Sequence, residues 1–236
     1  MTDISDLLSQ IPGIEHGFGT RRALLPTSLA SYQTTLPVKK QVHGTNIVEV
    51  TECQQQCGEA DGFYTEQPGI LLTVFTADCL PLVFSRRDGR AIAVLHAGWR
   101  GLIDGIIEQL AKRINLTDAT ENWVASIGPA AGDCCYQVSQ ELVDEFCQRL
   151  DLPTSLISPS HRHLDLASIA EAKIKQAGFY AVDRAGSCTI CTKHASEPAK
   201  NKYTSYRRNS LHRVVDPTHP GISGRNQQSG IIIVPS

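Results

Sequence analysis

Residues 91–114 have the sequence AIAVLHAGWRGLIDGIIEQLAKRI, in which a strand pattern gives way to a helix pattern. The short apolar run from Ala91 to Leu95 predicts a buried strand. From Leu102 onward the spacing of the apolar residues is that of one buried helical face, formed by Ile103, Ile106, Ile107, Leu110 and Ile114. A glycine-bracketed turn that starts at His96 joins the two patterns. Because α/β proteins tend to bind ligands at the carboxyl ends of strands, this unit predicts a site at His96.

Further strand and helix patterns lie on both sides of this unit. Short apolar or alternating runs predict strands at 47–50, 70–76, 80–85, 124–127, 182–187 and 231–234. The segment RDGR at 87–90 predicts a hairpin turn. Two more helices are predicted from Ser139 through Phe146 and from an N-cap at Asp165 to Gly178, and residues 209–229 predict a long late loop. Strands mixed irregularly with three helices favour an α+β fold or a layered sandwich over a regular βαβ repeat.

The overall composition predicts one globular domain over residues 1–236. Hydrophobic residues make up 41% and charged residues 19%, and the formal net charge is −2. That charge gives no general electrostatic reason to bind nucleic acid or a membrane, so neither partner is expected. The acidic N-terminus does not resemble a signal peptide, and no segment is apolar enough to span a membrane. The eight cysteines are therefore interpreted as reduced thiols in the cytosol.

Three residues are candidate metal ligands. His43 lies in QVHG at the expected start of a strand, Cys79 lies in TADCLP between two strand runs, and His96 follows the strand at 91–95. One cysteine and two histidines suit a catalytic zinc site with a fourth position left for water or substrate. Taken alone, His43 is better explained by a structural hydrogen bond than by metal binding, and Cys79 is better explained by packing. The separations of 36 and 17 residues match no local zinc-finger spacing.

Other charged and thiol side chains have two interpretations each. Asp78 would raise the pKa of the adjacent Cys79 thiol unless a cation compensates, which favours a metal. The pair Cys188 and Cys191 is expected to be structural or fortuitous, and the adjacent Cys134 and Cys135 are expected to pack. Arginines are either solvated surface charges or forks for phosphate, and the candidates are Arg21, Arg100, Arg207, Arg208 and Arg225.

Nine short motifs resemble those of the YfiH family, whose members are also called laccase-domain or polyphenol oxidase proteins. They occur in order over nearly the whole chain: HGFGTR at 16–21, QVHG at 41–44, ADG at 60–62, TADCLP at 76–81, HAGWRG at 96–101, GP at 128–129, CCY at 134–136, CTIC at 188–191 and SYRR at 205–208. The two six-residue motifs TADCLP and HAGWRG are highly specific. An insertion-like segment, Asn209–Ile222, departs from the usual ending of the family and leaves the position of Arg225 undefined.

The resemblance implies a layered α-β-β-α sandwich related to cysteine-hydrolase toxin folds. It implies a zinc ion on His43, Cys79 and His96, surrounded by Gln41, Asp61 and Asp78. It also implies phosphorolysis of adenosine, inosine and methylthioadenosine, with deamination of adenosine as a side activity. The partners are then a purine nucleoside and phosphate. The laccase label implies copper and phenol oxidation, but the chain lacks the several His-x-His pairs that a multicopper cluster needs, so copper is expected only as an in vitro substitute.

Two other functions are compatible with the same residues. Cys79 could be the nucleophile of a hydrolase, with His96 or His43 as its base, that removes a wrongly incorporated amino acid from a cell-wall precursor. Alternatively, the chain could bind zinc without catalysing a reaction. The sequence leaves the choice between a monomer and a homodimer open.

Overall fold

The computed structural model describes residues 3–222 and 224–235. Its strands are β1 (Ile14–Phe18), β2 (Val38–Lys40), β3 (Ile47–Glu49), β4 (Gln56–Glu59), β5 (Gly62–Thr65), β6 (Leu72–Thr76), β7 (Leu80–Arg86), β8 (Ile92–Ala97), β9 (Trp123–Ile127), β10 (Ala181–Arg184), β11 (Lys193–His194), β12 (Glu197–Asn201) and β13 (Gln227–Ile233). Its α-helices are α1 (Trp99–Ile103), α2 (Ile106–Ile114), α3 (Gln140–Arg149), α4 (Thr154–Ile157), α5 (Leu166–Gln176) and α6 (Tyr206–Val215). Short 3-10 helices occupy Leu8–Gln10, Thr27–Thr35 and Thr120–Asn122.

The hairpin of β7 and β8 lies at the centre of a six-stranded sheet with the strand order β10-β9-β7-β8-β5-β3. Its register pairs Pro81 with His96 and Leu80 with Ala97. Cys79 directly precedes β7, so it lies beside the carboxyl end of β8, where His96 is. The hairpin therefore brings two of the three candidate ligands to one end of the sheet.

Apolar side chains form cores on both faces of this sheet, because successive strand residues point to opposite sides. Residues such as Leu82 and Leu95 pack against the helices, including Leu110 of α2. The alternate residues Val83 and Val94 pack against a three-stranded sheet of β1, β13 and β6. A third small core lies between that sheet and the 3-10 helix Thr27–Thr35 and contains Leu29, Leu71 and Ile232. The order of layers confirms the α+β sandwich.

The helix predicted from Leu102 to Ile114 begins earlier and is broken. It starts at Trp99 as α1, and Gly105 then adopts a left-handed conformation with φ 94° between α1 and α2. This conformation costs glycine little and other residues more, so Asp104-Gly105 ends the first helix. The helices α3 and α5 are confirmed, with the side chains of Ser139 and Asp165 as their N-caps.

The predicted late loop at 209–229 is wrong over much of its length. Helix α6 extends to Val215, and β13 begins at Gln227. No residue of α6 is buried, so this helix has no apolar stripe that a periodicity search detects. Ser223 lies outside the described residues. Over the described parts of the chain, no helix is long and apolar enough to cross a membrane.

Candidate metal centre

His43, Cys79 and His96 form a cluster in which each residue offers one donor atom within 4.8 Å of the others. The two imidazole rings meet edge to face, with their centroids 4.7 Å apart. His96 is buried, Cys79 is half-buried and His43 is exposed, so the cluster opens toward solvent on the His43 side. One thiolate and two imidazoles in this arrangement can hold a metal ion with a position left on the open side.

His43 does not lie at the start of a strand as the sequence analysis expected. It lies in the loop between β2 and β3 with φ 63°, and β3 begins only at Ile47. A left-handed conformation in a residue other than glycine persists only where its surroundings enforce it. The buried carboxylate of Asp61 enforces it here: it accepts hydrogen bonds from the backbone N–H groups of Val42 (3.1 Å), His43 (2.9 Å) and Gly44 (2.8 Å).

Asp61 also orients the second histidine of the cluster. Its Oδ1 atom lies 2.7 Å from Nδ1 of His96, so the Nε2 atom of that ring is left for Cys79 or a metal. Burial acts to raise the pKa of Asp61, but the bonds from His96, Gly44 and Val42 outweigh burial and hold the pKa below its usual value. The carboxylate is thus charged and fixes two of the three donor residues. Metal-binding histidines are commonly oriented by a carboxylate in this way.

The thiol and imidazole groups shift each other's protonation in the metal-free cluster. Burial acts to raise the pKa of Cys79, but hydrogen bonds to His43 and His96 lower it to about 7. Burial acts to lower the pKa of His96, while Asp61 and Cys79 raise it to about 9. Against the expectation from the adjacent Asp78, the pKa of the Cys79 thiol is lowered and not raised, and the Asp78 carboxylate accepts hydrogen bonds from Thr189, Ser205 and Arg207. The cluster therefore favours a Cys79 thiolate beside a His96 imidazolium. A bound metal cation would take the place of the imidazolium proton and keep the thiolate.

Two glycines of the HAGWRG motif allow the ligand loops to approach. A Cβ atom at Gly98 would lie 2.9 Å from Cδ2 of His43 and 3.2 Å from Sγ of Cys79. A Cβ atom at Gly101 would lie 2.9 Å from the carbonyl oxygen of Gly44. The two 2.9 Å contacts are shorter than a Cβ atom tolerates. The start of α1 therefore packs directly on the His43 loop only because these positions are glycine.

Asp78 joins two separate segments, the Thr189 loop and the start of α6, next to Cys79. Its carboxylate accepts hydrogen bonds from Thr189 Oγ1 (2.6 Å), Ser205 Oγ (3.1 Å) and the backbone N–H of Arg207 (2.7 Å). Ser205 is the N-cap of α6, so Asp78 adds a negative charge where the helix dipole favours one. Asp78 itself has φ 102°, a strained conformation that this network maintains.

The candidate phosphate-binding arginines lie in two places. Arg100 lies over the ring of Trp99, and Arg207 lies over the ring of Tyr136 and donates a 2.7 Å bond to the carbonyl of Gln137. Arg21 and Arg208 instead line a cavity of about 370 Å³ with His212, His219 and Arg225. The amide of Gln41 bonds the backbone of Phe75 at 2.9 and 2.7 Å.

Tyr136 is a residue that the sequence analysis did not single out. Burial and the nearby Cys79 raise the pKa of its phenol to about 12, against the opposing effect of Arg207 and Arg100. Tyr136 is therefore close enough to Cys79, and to both arginines, to interact with each of them electrostatically. Thr189 and Ser205, whose hydroxyl groups donate hydrogen bonds to Asp78, were also not predicted as site residues. Their positions inside the CCY, CTIC and SYRR motifs were the signal available for these residues.

The chain is similar in sequence to several known proteins. Residues 19–214 match the family described as multi-copper polyphenol oxidoreductase laccase. The purine nucleoside phosphorylase of Haemophilus influenzae is 31% identical over 196 residues, which cover 81% of this chain and 76% of that protein. The purine nucleoside phosphorylase YfiH of Escherichia coli is 32% identical over 169 residues, with coverage of 72% and 67%. A purine nucleoside phosphorylase of Xylella fastidiosa is 33% identical over 180 residues, and the chain spans 65% of its length.

Solved structures share the fold over nearly the whole chain. YlmD from Geobacillus stearothermophilus aligns with a TM-score of 0.76 and 24% identity over 96% of this chain and 94% of its own. Protein NMB0706 from Neisseria meningitidis aligns with the same TM-score and identity over 100% of this chain and 99% of its own. At this identity the alignment demonstrates the sandwich fold.

Proposed function

The chain belongs to the multi-copper polyphenol oxidoreductase laccase family, the YfiH family, and from this premise we propose that it is a zinc-dependent purine nucleoside phosphorylase. The observation that carries the proposal is the His43, Cys79 and His96 cluster, which is open to solvent and flanked by arginines. Relatives that cover most of the chain are named purine nucleoside phosphorylase. The proposed substrates are adenosine, inosine and methylthioadenosine, together with phosphate.

The donor atoms favour zinc over a multicopper centre. In residues 3–222 and 224–235, two groups of His, Cys, Asp and Glu donors could hold an ion: the cluster just described and a group of four cysteines. A centre with several copper ions needs more imidazoles than the two in these groups. A site of two histidines and one cysteine also suits a single copper ion, so we expect copper as an in vitro substitute. Bound zinc supplies a Lewis acid and lowers the pKa of water.

Phosphorolysis requires the protein to hold phosphate against the ribose and to assist departure of the purine. An oxygen of phosphate forms a bond to C1′ while the C1′–N9 bond breaks, and the purine leaves with the electron pair and takes up a proton. Positive charge develops on the ribose in the transition state, so a fixed phosphate dianion stabilises it. Arg100 and Arg207 are the favoured phosphate residues, because both act on Tyr136 next to Cys79.

The other two candidate arginines are less suited to this role. Nη1 of Arg208 donates to the carbonyls of Thr189 (2.7 Å) and Ile190 (2.6 Å), and its Nη2 donates to that of Tyr203 (2.6 Å). A guanidinium that holds three backbone carbonyls has few donors left for a bidentate phosphate contact. Arg21 is exposed and lines the same cavity. We therefore keep Arg21 and Arg208 as secondary candidates.

The decisive experiment is to incubate the zinc-loaded protein with adenosine in the presence and absence of phosphate and to identify the products. We expect adenine and ribose 1-phosphate in equal amounts, and only when phosphate is present. Cys79→Ala should abolish the reaction, whereas Cys53→Ala, at an exposed thiol, is the matched control. Bound zinc without turnover of any nucleoside would leave a non-catalytic metal-binding protein and overturn the proposal.

Deamination of adenosine is the proposed side activity, and the same assay distinguishes it from phosphorolysis. Water attacks C6 of the purine and ammonia leaves, so inosine forms without phosphate. The open side of the cluster, next to the exposed His43, is where such a water would be held. Absence of inosine after adenosine is incubated without phosphate would remove deamination from the proposal.

A thiol hydrolase is the second candidate, because one observation favours it. The hydrogen bonds of Cys79 with two histidines lower the pKa of its thiol to about 7, as nucleophilic cysteines require. In this alternative the thiolate attacks a carbonyl carbon, and His96 returns a proton to the leaving group. Zinc and nucleophile roles exclude each other. If zinc removal increased hydrolysis of an acyl substrate and a covalent Cys79 adduct accumulated, the hydrolase would be correct.

We propose that the enzyme works in the cytosol, as a monomer or homodimer. All eight cysteines lie in the described parts of the chain and each is a free thiol, which suits a reducing compartment. The cellular location of a tagged protein tests the compartment, and the molecular mass in solution tests the oligomeric state.

A further inference from the structure

The fold brings four cysteines from two loops into a second cluster, which we call the four-cysteine site. Cys134 and Cys135 follow β9, and Cys188 and Cys191 follow β10, a strand that pairs in parallel with β9. The four Sγ atoms all lie within 4.8 Å of one another, and those of Cys134 and Cys191 are 3.7 Å apart. Two segments more than fifty residues apart therefore supply two thiols each.

These distances suit one tetrahedral ion. Zinc–thiolate bonds of about 2.3 Å in tetrahedral geometry place sulfur atoms about 3.8 Å apart. A sulfide-bridged iron cluster separates its outer thiolates further than a single ion does, and the upper limit of 4.8 Å leaves little room for it. Bonded disulfide sulfurs lie about 2.05 Å apart, well below the observed Cys134–Cys191 distance.

We propose that Cys134, Cys135, Cys188 and Cys191 hold one structural zinc ion, separate from the ion at His43, Cys79 and His96. Soft thiolates select zinc among the common divalent ions, and four protein ligands are the rule for zinc sites that stabilise a fold. From the sequence, the pair Cys188 and Cys191 is expected to be structural or fortuitous, because the chain has no second C-x-x-C pair. The adjacent residues Cys134 and Cys135 supply the second pair of thiols in place of a second C-x-x-C pair.

The surroundings of the four-cysteine site support bound thiolates. The backbone N–H of Gly132 donates a 3.3 Å hydrogen bond to Sγ of Cys188. A Cβ atom at Gly132 would lie 3.2 Å from Cβ of Cys188 and 3.4 Å from Sγ of Cys134, so glycine keeps the two loops close. Arg208 holds the carbonyls of Thr189 and Ile190 between two of the ligands. Its positive charge offsets the net charge of −2 that four thiolates leave on a divalent ion.

This ion would brace one wall of the candidate metal centre. The loop of Cys134 and Cys135 continues into Tyr136, which acts electrostatically on Cys79. The loop between Cys188 and Cys191 carries Thr189, whose hydroxyl bonds Asp78 at 2.6 Å. Both wall residues thus adjoin a ligand of the proposed structural zinc, and the ion would fix their positions without touching substrate.

The test is the zinc content of the reduced, purified protein and of matched cysteine variants. We expect about two zinc ions per chain in the parent, about one in Cys79→Ser, about one in Cys188→Ser or Cys191→Ser, and none in Cys79→Ser/Cys188→Ser. Cys53→Ser should retain both. Cobalt substitution adds a spectroscopic measurement, because the sulfur-to-cobalt charge-transfer band should fall more in Cys188→Ser than in Cys79→Ser.

The parent protein provides a test that does not depend on the folding of any variant. Bound zinc should protect thiols from a colorimetric thiol reagent until a chelator is added, and chelation should expose about five more, four from the four-cysteine site and one from Cys79. Unchanged zinc content in Cys188→Ser and Cys191→Ser, or disulfides among these cysteines in the freshly reduced protein by mass spectrometry, would overturn the proposal. Neither result tests the proposed phosphorolysis, because that proposal rests on the ion at His43, Cys79 and His96.

Discussion

Replacing Asp61 by asparagine should weaken zinc binding more than any other change outside the three ligands. The carboxylate holds the His43 loop through three backbone N–H groups and the His96 ring through Nδ1. Asparagine retains one acceptor oxygen and places an N–H donor group where the other oxygen was. In one orientation, that amide group opposes the N–H groups of Val42 and Gly44, so two hydrogen bonds to a charged acceptor are lost.

The magnitude follows from these contacts. Hydrogen bonds to a charged group contribute about 1.5–3 kcal/mol each, so two of them set an upper limit of about 6 kcal/mol on the lost free energy of unfolding. Val42 is partly exposed, so water can replace part of that loss, and we expect about 3 kcal/mol. Loss of a group that orients one ligand typically weakens metal binding about 10- to 100-fold. Since Asp61 orients two ligand residues, we expect about 100-fold.

Zinc affinity is measured by competition with a chromophoric chelator, in a Cys188→Ser background so that only this centre binds. Asp183→Asn is the matched control, because Oδ2 of Asp183 accepts bonds from Ser5 Oγ (2.7 Å) and the Leu7 N–H (3.0 Å) instead of holding a ligand. The control should lose stability and keep its zinc affinity. A folded Asp61→Asn protein with the parental zinc affinity would refute the reasoning.

Three further predictions concern the same centre. Cys79→Ala should abolish turnover and leave the fold largely intact, while Cys191→Ala should reduce turnover far less; equal losses in folded variants would contradict this order. Arg100→Lys and Arg207→Lys should raise the KM for phosphate about 10- to 100-fold and leave deamination unchanged. Arg90→Lys, at an exposed arginine, is the control. Arg21→Lys and Arg208→Lys complete the series. In the metal-free protein, the lowered pKa of Cys79 should contribute stability that is fully present above about pH 9 and is lost as pH falls through about 7, whereas the raised pKa of His96 should contribute stability that is fully present below about pH 6.5 and is lost as pH rises through about 9. Denaturation of the parent and of Cys79→Ser across pH measures the Cys79 contribution, and a stability difference between the two proteins that does not fall from pH 9 to pH 7 would contradict it.

Elements with a clear apolar period could be predicted from the sequence. The strands β7 and β8, the turn at Gly89 and the helices α3 and α5 occupy the expected positions because burial and capping act locally. Helix α6 could not be predicted in this way. Its Val214 and Val215 are 81% and 88% exposed, and its N-terminus is fixed by Ser205 and by the distant Asp78. A helix that is fixed by polar contacts from another segment leaves no periodic signal in its own residues.

The candidate centre shows the same division between local and distant causes. The pairing of Pro81 with His96 follows from two adjacent strands and one turn, so it is accessible from the sequence. The position of His43 depends on Asp61, eighteen residues away, and on the two glycines of the HAGWRG motif. No local pattern contains these contacts. Only the resemblance of the separate motifs to one family placed all three residues together.

Asp78 connects the two clusters of donors and explains why the motifs occur as a set. Asp78 is adjacent to Cys79 in the sequence, yet the partners of its carboxylate are Thr189, Ser205 and the backbone of Arg207. Thr189 lies between two ligands of the four-cysteine site, and Arg207 is a favoured phosphate residue. Movement of the CTIC loop would therefore remove a hydrogen bond from Asp78 and, through it, shift both Cys79 and the start of α6. We infer that the four cysteines serve the reaction by fixing this loop, at a distance from the atoms that react.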